Sequence, residues 1–280
     1  MTDPRSARLS AEKIRSALAA QSRAAAAFWR TIDVVDETGS TNADLLSQAR
    51  DADAAADRAV LLAEQQTAGR GRHQRSWVTR PGSALIMSVL VHPDRVDTAR
   101  LGWIPLLTGV SVARALRETT GVAADLKWPN DVLVGERKLA GILAEVATKP
   151  KGGPGVVVGF GINVDLAAAD LPVPTATSLA VEGVPGVDRN HLAAAVLKEL
   201  GLRLDRWVEA GGSETETAAE YVDACVTLGQ LVRVILPSAD ELVGRAERID
   251  ASGCLVVRPV TGGDLISVSA GDVTHVRAAE

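Results

Sequence analysis

Residues 127–145, KWPNDVLVGERKLAGILAE, constrain this chain more than any other stretch of it. Val132–Val134 and Leu139–Glu145 are short apolar runs separated by the polar turn Gly135–Arg137, a pattern that reads as a β-hairpin. Pro129 has no amide hydrogen to give to a strand ladder, so Asn130 and Asp131 are expected where the chain enters the hairpin. Lys138 then opens an apolar strand, where a cation is useful when an anion arrives to meet it. Taken alone, the segment also reads as a solvated hairpin carrying a surface lysine.

A second segment bears on that choice. Gly69–Trp77 is GRGRHQRSW, and residues 69–80 hold four arginines (Arg70, Arg72, Arg75, Arg80) and His73 with no carboxylate. Gly69 and Gly71 alternate with arginines, so the backbone can turn tightly and approach a ligand closely. The guanidinium is a planar, permanently charged fork that matches carboxylate and phosphate oxygens. Charge at this density predicts a loop that stays mobile until an anion orders it. By itself such a loop is a solvated surface or a nucleic-acid contact more often than a small-molecule clamp; its pairing with the hairpin reverses that preference. Two nucleotide motifs are excluded: Gln74 stands where a Rossmann fingerprint needs its third glycine, and no P-loop pattern occurs.

Bulk properties fit a compact enzyme. With 280 residues, 46% of them apolar, the chain has material for one large domain and a small one. A net charge of −5 and a pI near 5.5 argue against bulk nucleic-acid binding, which leaves a basic footprint. Cys225 and Cys254 lie among apolar residues without metal-ligand spacing and read as buried, inert thiols. The charged N-terminus lacks the apolar core of a signal peptide, and no run approaches the roughly 18 apolar residues of a membrane span. A cytoplasmic protein with no membrane partner is expected.

Along the chain, Ser10–Arg30 is helical in composition, with Ser10 as cap. Ile32–Val35, Val60–Glu64, Ala84–Val91 and Val156–Asn163 read as strands. Ser40 or Thr41 caps a helix running to about Ala55, and Leu101–Thr119 has helical periodicity. Asp188–Ala210 is an amphipathic helix that stops at Gly211-Gly212. From about Val226 the texture changes to short β-rich runs (Leu231–Leu236, Leu242–Ile249, Cys254–Pro259 and Leu265–Val268), which suggests a small barrel.

Four ordered motifs carry a family resemblance. Gly39–Asn42, Gly69–Trp77, Lys127–Glu145 and Gly159–Asn163 (GFGIN) resemble the STN element, the arginine-glycine loop, the KWPND…RKLAGIL segment and the glycine-rich strand of biotin protein ligases. The resemblance spans roughly residues 36–166, with a weaker continuation to the C-terminus, and the arginine-rich composition is similar to that of actinobacterial members. Gln74 departs from the pattern, standing where the family has glycine.

The resemblance implies an α+β fold: a mixed-sheet catalytic domain of the biotin/lipoate ligase type over residues 31–220, preceded by a helical extension (1–30) and followed by a small SH3-like β-barrel (221–280). It implies that ATP and biotin give biotinyl-AMP and pyrophosphate, with Mg2+ carried by the nucleotide. A lysine of the biotin carboxyl carrier domain of an acyl-CoA carboxylase then takes the biotinyl group. Lys138 and Arg72 are the expected catalytic residues, and Arg70 with Arg72 should hold carboxylate and phosphate. Ser40, Thr41, Asn42 and Gln66 should face the ureido ring, while Gly71 and Gly141 let backbone approach the ligand. Lys127 is expected to bind the adenylate, and Asn130, Asp131 and Asn163 are candidates for ribose, phosphate or magnesium contacts, although Asp131 is equally a turn residue at the hairpin entry. Trp77 closes over the ligand or meets the adenine, whereas Trp128 reads as core. Residues ahead of the motifs are too few for the helix-turn-helix domain of bifunctional relatives, so no nucleic-acid partner is expected. A lipoate or octanoyl ligase, which shares the fold, is the nearest rival.

Overall fold

The computed structural model describes residues 8–50, 57–72, 75–77, 79–147, 153–213, 215–236, 240–269 and 272–275. Its main body is a seven-stranded sheet. In chain order the strands are β1 (Thr31–Thr38), β2 (Ala59–Gln66), β3 (Ala84–Val91), β4 (Ala124–Lys127), β5 (Asp131–Val134), β6 (Arg137–Ala147) and β7 (Gly155–Asn163). They lie in the order β1-β2-β3-β7-β6-β5-β4. Only β1 and β2 pair in parallel; the remaining ladders are antiparallel. The expected hairpin is therefore the second half of a β4-β5-β6 meander, and β4 is an addition to the strands read from sequence.

The two faces of the sheet differ in kind. Strand alternation sends Leu85, Met87 and Val89 of β3 and Val156, Val158, Phe160 and Ile162 of β7 to one side. There they meet α1 (Ala11–Gln21), α2 (Arg23–Phe28), α4 (Trp103–Thr120) and α5 (Arg189–Glu209) in one large core. Among the described residues, the one helix on the opposite face is the short α3 (Thr41–Arg50), which packs Leu45, Leu46 and Ala49 on Leu61, Leu90 and Val157. On that thinly covered face β7 presents Gly155, Val157, Gly159 and Gly161. The single N-terminal helix expected from composition is two helices, because Ser22 takes an extended backbone and caps the second one. The helix after Thr41 is described as far as Arg50, and its expected end near Ala55 lies outside the described residues.

After α5 and a further helix, α6 (Thr215–Ala224), the chain forms a separate antiparallel sheet: β8 (Leu231–Ile235), β9 (Glu241–Ile249), β10 (Leu255–Pro259), β11 (Ile266–Val268) and β12 (Asp272–His275), in the order β11-β10-β9-β8-β12. Its turn at 250–254 docks on the main body through two tryptophans. Trp103 Nε1 donates to the Ala251 carbonyl and Trp128 Nε1 to the Gly253 carbonyl, each at 3.1 Å. Trp128 is 2% exposed, as a core residue should be. Its own backbone N–H donates to Thr227 Oγ1 at 3.1 Å, and His275 Nε2 lies 3.3 Å from the same oxygen. Cys225 is buried, while Cys254 is only partly so.

Burial, then the nearby Lys127 charge, hold the His275 pKa below its usual 6.5, with Glu136 opposing them. Protons therefore bind the unfolded chain more readily than the folded one. The stabilisation is complete above the ordinary histidine pKa and is lost as pH falls through the depressed folded value. Thermal unfolding between about pH 7.5 and about pH 5 should show a smaller drop in melting temperature for His275→Gln than for wild type. Parallel curves would mean that His275 carries none of the dependence.

Candidate functional site

Lys138 owes its position to a β-bulge. In a regular strand, residues three apart point to opposite faces, so Lys138 would face the core if Gly141 faced outward. Here Asp131 pairs with Gly141 and Val132 with Ala140, but Leu133 pairs with Lys138, leaving Leu139 as the extra residue. Leu139 and Ala140 are both fully buried, and Lys138 emerges on the same face as Gly141 and Asp131. A Cβ added to Gly141 would stand 3.0 Å from Lys138 Nζ. The bulged backbone is held from its other side: Lys138 N–H donates to the Thr175 carbonyl at 2.7 Å and Thr177 N–H to the Lys138 carbonyl at 2.8 Å. Asn163, a candidate for ligand contact, is 4% exposed and donates its amide to the Thr177 carbonyl at 2.8 Å. Its observed contact supports the connection that braces Lys138.

The two cationic segments converge here. Lys138 Nζ is 2.5 Å from Asp131 Oδ1, and Arg72 Nη1 donates to Asn130 Oδ1 at 3.2 Å. Asn130 is itself fixed, its Nδ2 donating to the Ile142 carbonyl at 3.1 Å while its own carbonyl accepts from Ile142 N–H. Adjacent residues at the hairpin entry thus hold one cation from each segment. Lys127 pairs across β4 and β5 with Asp131. Arg70 is exposed and bridged to Ser76 along the loop, whose turn is closed by Gly71 N–H donating to the Arg75 carbonyl at 2.7 Å. His73 and Gln74 lie outside the described residues.

Trp77 crosses back onto the sheet. Gly141 and Gly161 are cross-strand partners and form a bare patch beside Lys138. The Trp77 indole lies on this patch, so that a Cβ at Gly161 would come within 2.5 Å of Cε2 and 2.6 Å of Nε1. Trp77 Nε1 is buried there with no hydrogen-bond partner among the described residues. An apolar, flat group therefore already occupies the floor between the cations, and its polar edge is unsatisfied.

Beyond the glycines, toward α3, lies a polar set. Thr41 N–H donates to Gln66 Oε1 at 2.8 Å, and Ser40 Oγ accepts from Ala43 N–H at 3.4 Å as a helix cap. Thr41, Asn42 and Ser40 are all buried. Two residues that sequence reading passed over complete the set: Ser88, inside the apolar run of β3, and Glu145, at the end of the hairpin motif. Only β3–β7 and β6–β7 register places them beside Asn42.

Glycines beneath a movable indole, between an arginine loop and a lysine on a bulge, leave room and charge that a flat, anionic ligand can use. Residues 33–163 match the Biotin/lipoate A/B protein ligase family. The chain is 45% identical over 254 residues to the biotin--[acetyl-CoA-carboxylase] ligase of Mycobacterium tuberculosis, covering 89% of this chain and 90% of that one. The chain belongs to the biotin/lipoate protein ligase family. The bifunctional ligase/repressor BirA of Escherichia coli is 29% identical over 241 residues, which are 84% of this chain and 72% of that protein. Among solved structures, the biotin protein ligase of Aquifex aeolicus in complex with biotin and ATP superposes with a TM-score of 0.73 at 26% identity, over 89% of this chain and all of that one. No helix among the described residues is long and apolar enough to cross a membrane.

Contact with the bare patch predicts the outcome of filling it. Gly161→Ala should expel the indole and shift the Trp77 contribution to the emission spectrum, obtained by subtracting a Trp77→Phe spectrum, toward that of a solvated tryptophan. An unchanged difference spectrum would place Trp77 elsewhere in solution.

Proposed function

We propose that this protein is an ATP-dependent biotin protein ligase. It joins biotin to AMP with release of pyrophosphate and then passes the biotinyl group to a lysine of a biotin carboxyl carrier domain of an acyl-CoA carboxylase. The observation that carries this reading is the convergence of Arg72 and Lys138 on Asn130-Asp131 beside the Gly141–Gly161 patch. Its support from relatives is the ligase activity for which the Mycobacterium tuberculosis protein is named and, in the Aquifex protein, bound biotin and ATP.

Adenylate formation brings a carboxylate up to a phosphate, two anions that repel until fixed positive charge is placed between them. Lys138 is held for that task by Asp131, a partner that an incoming carboxylate or phosphate displaces in part. Arg72, tethered to Asn130, supplies a second charge from the loop and closes the site against water, which protects a reactive mixed anhydride. Ser40, Thr41 and Gln66 supply the hydroxyl and amide groups that a ureido ring needs, and Asn42, whose amide is engaged by Leu143, Glu145 and Ser88, stands behind them. Arg70, Gly71 and Lys127 line the approach of the adenylate, and Trp77 moves from the glycine patch to cover it. In the second step the acceptor lysine must lose a proton, for which the substrate phosphate and Asp131, the carboxylate beside Lys138, are the two acceptors. A magnesium ion would come with the nucleotide phosphates, and Asp131 is a carboxylate placed beside Lys138 that could meet it.

Biotin-dependent exchange of labelled pyrophosphate into ATP tests the reading; exchange supported by lipoate or octanoate and not by biotin would overturn it. Lys138→Ala should lower that exchange by ~10²–10³, the usual cost of one preorganised charge. It should change unfolding free energy by no more than about 1–2 kcal/mol, since the pair is partly solvated. Arg72→Ala should chiefly let biotinyl-AMP escape, read as biotin on bystander proteins in a blot. Tight labelling of the carrier alone by this variant would remove Arg72 from the retaining role.

A further inference from the structure

The polar set next to the glycine patch has a direction, and a carboxylate stands at its far end. Asn42 Nδ2 donates to Glu145 Oε2 at 2.8 Å and to the Leu143 carbonyl at 3.2 Å. Both partners are acceptors, so the amide nitrogen of Asn42 faces β6 and its oxygen faces β3. That oxygen accepts from Ser88 Oγ at 2.7 Å. Ser88 is fully buried and has one proton, which is spent on Asn42; its 2.7 Å contact with Thr41 Oγ1 is then made with Thr41 as donor. Thr41 has one proton for two oxygen neighbours, Ser88 Oγ at 2.7 Å and Gln66 Oε1 at 3.0 Å; giving it to Ser88 satisfies the shorter contact and leaves the longer one without a hydrogen. Gln66 Oε1 already accepts from Thr41 N–H, which turns Gln66 Nε2 the other way, toward Gly69 of the arginine loop. Close approach is essential to the chain: a Cβ at Gly159 would collide with Asn42 Oδ1 and stand 2.9 Å from Ser88 Oγ.

We propose that Glu145 is a positioning residue for ligand recognition, its carboxylate setting the donor–acceptor polarity of the Asn42–Ser88–Thr41 chain so that Thr41 Oγ1 is presented as an acceptor beside the Gln66 Nε2 donor. A ring urea offers N–H donors next to a carbonyl acceptor, the complement of that pair. The inference rests on the biotin ligase reading and extends it to a residue that touches no ligand. Glu145 acts at one end and the ring is read at the other, with two side chains between them.

Calorimetric titration of biotin into the wild type and the Glu145→Ala, Glu145→Gln, Ser88→Ala and Glu145→Ala/Ser88→Ala variants tests it. Glu145→Ala should weaken biotin binding about tenfold, the scale of one charge-assisted hydrogen bond, with kcat at saturating biotin and the KM for ATP within about twofold of wild type. Glu145→Gln should restore binding, because its amide oxygen still accepts from Asn42. The double variant should bind no more weakly than either single one, as expected for groups acting as a unit. Unchanged affinity in Glu145→Ala would overturn the proposal. So would a glutamine variant as weak as the alanine, which would make charge the cause, or losses that multiply in the double variant. Ser88→Ala, which keeps the core volume, supplies the same reading should Glu145→Ala fold poorly. A wild type that binds no biotin overturns the functional reading itself, and this inference with it.

Discussion

One extra residue in one strand decides where the chemistry can occur. Leu139 is buried next to an equally buried Ala140, and this lapse in alternation turns Lys138 from the helical core to the open face of the sheet. A lysine facing the core would meet the layer formed by α4 and α5, where a charge is expensive without a partner. On the open face it meets Asp131, and the strand beneath it carries no side chain at Gly141. The loop at 175–177 grips the backbone of Lys138 from the other side, and Asn163 grips Thr177 in turn. The cation is placed by backbone geometry, which side-chain motion alone cannot undo.

The same hairpin entry ties the site to the C-terminal sheet. Trp128 precedes Asn130 and Asp131 by two and three positions and anchors in the turn at Gly253. Its backbone amide is held by Thr227, which also faces His275. Trp103, at the start of α4, makes a parallel anchor to Ala251, and a single apolar cluster runs through both sheets. Asn130 and Asp131 are thus set from two directions: by the meander's own register and by the C-terminal sheet docked behind them. Arg72 reaches Asn130 from the arginine loop, where Gly71 N–H donates to the Arg75 carbonyl and Trp77 N–H to the Gly69 carbonyl.

Much of this was legible in the sequence, and the parts that were not share a cause. The arginine loop, Lys138 and the Asn130-Asp131 entry announce themselves by charge set in apolar or glycine-rich context. The strands Ala84–Val91 and Val156–Asn163 followed from continuous apolar runs, as befits strands buried on both faces. The bulge left no compositional mark, since Lys138-Leu139-Ala140-Gly141 is compatible with either face until pairing is known. Ser88 and Glu145 were passed over because their meaning lies in neighbours 46 and 103 residues away, not in adjacent ones. The break at Ser22, the short α6 and the strands β4 and β12 escaped because each is set by packing on a neighbour more than by its own periodicity.

The central claim is that a bare strip of sheet, flanked by one lysine and one loop arginine, is where the ligand lies. A crystal structure of the protein with a non-hydrolysable biotinyl-adenylate analogue measures this directly. The account predicts that the linkage between acyl group and phosphate lies over Gly141 and Gly161, within hydrogen-bond distance of Lys138 Nζ and an Arg72 nitrogen, with the Trp77 indole displaced from Gly161. An analogue bound elsewhere, with Trp77 still resting on the glycines and Lys138 still paired only with Asp131, would contradict it.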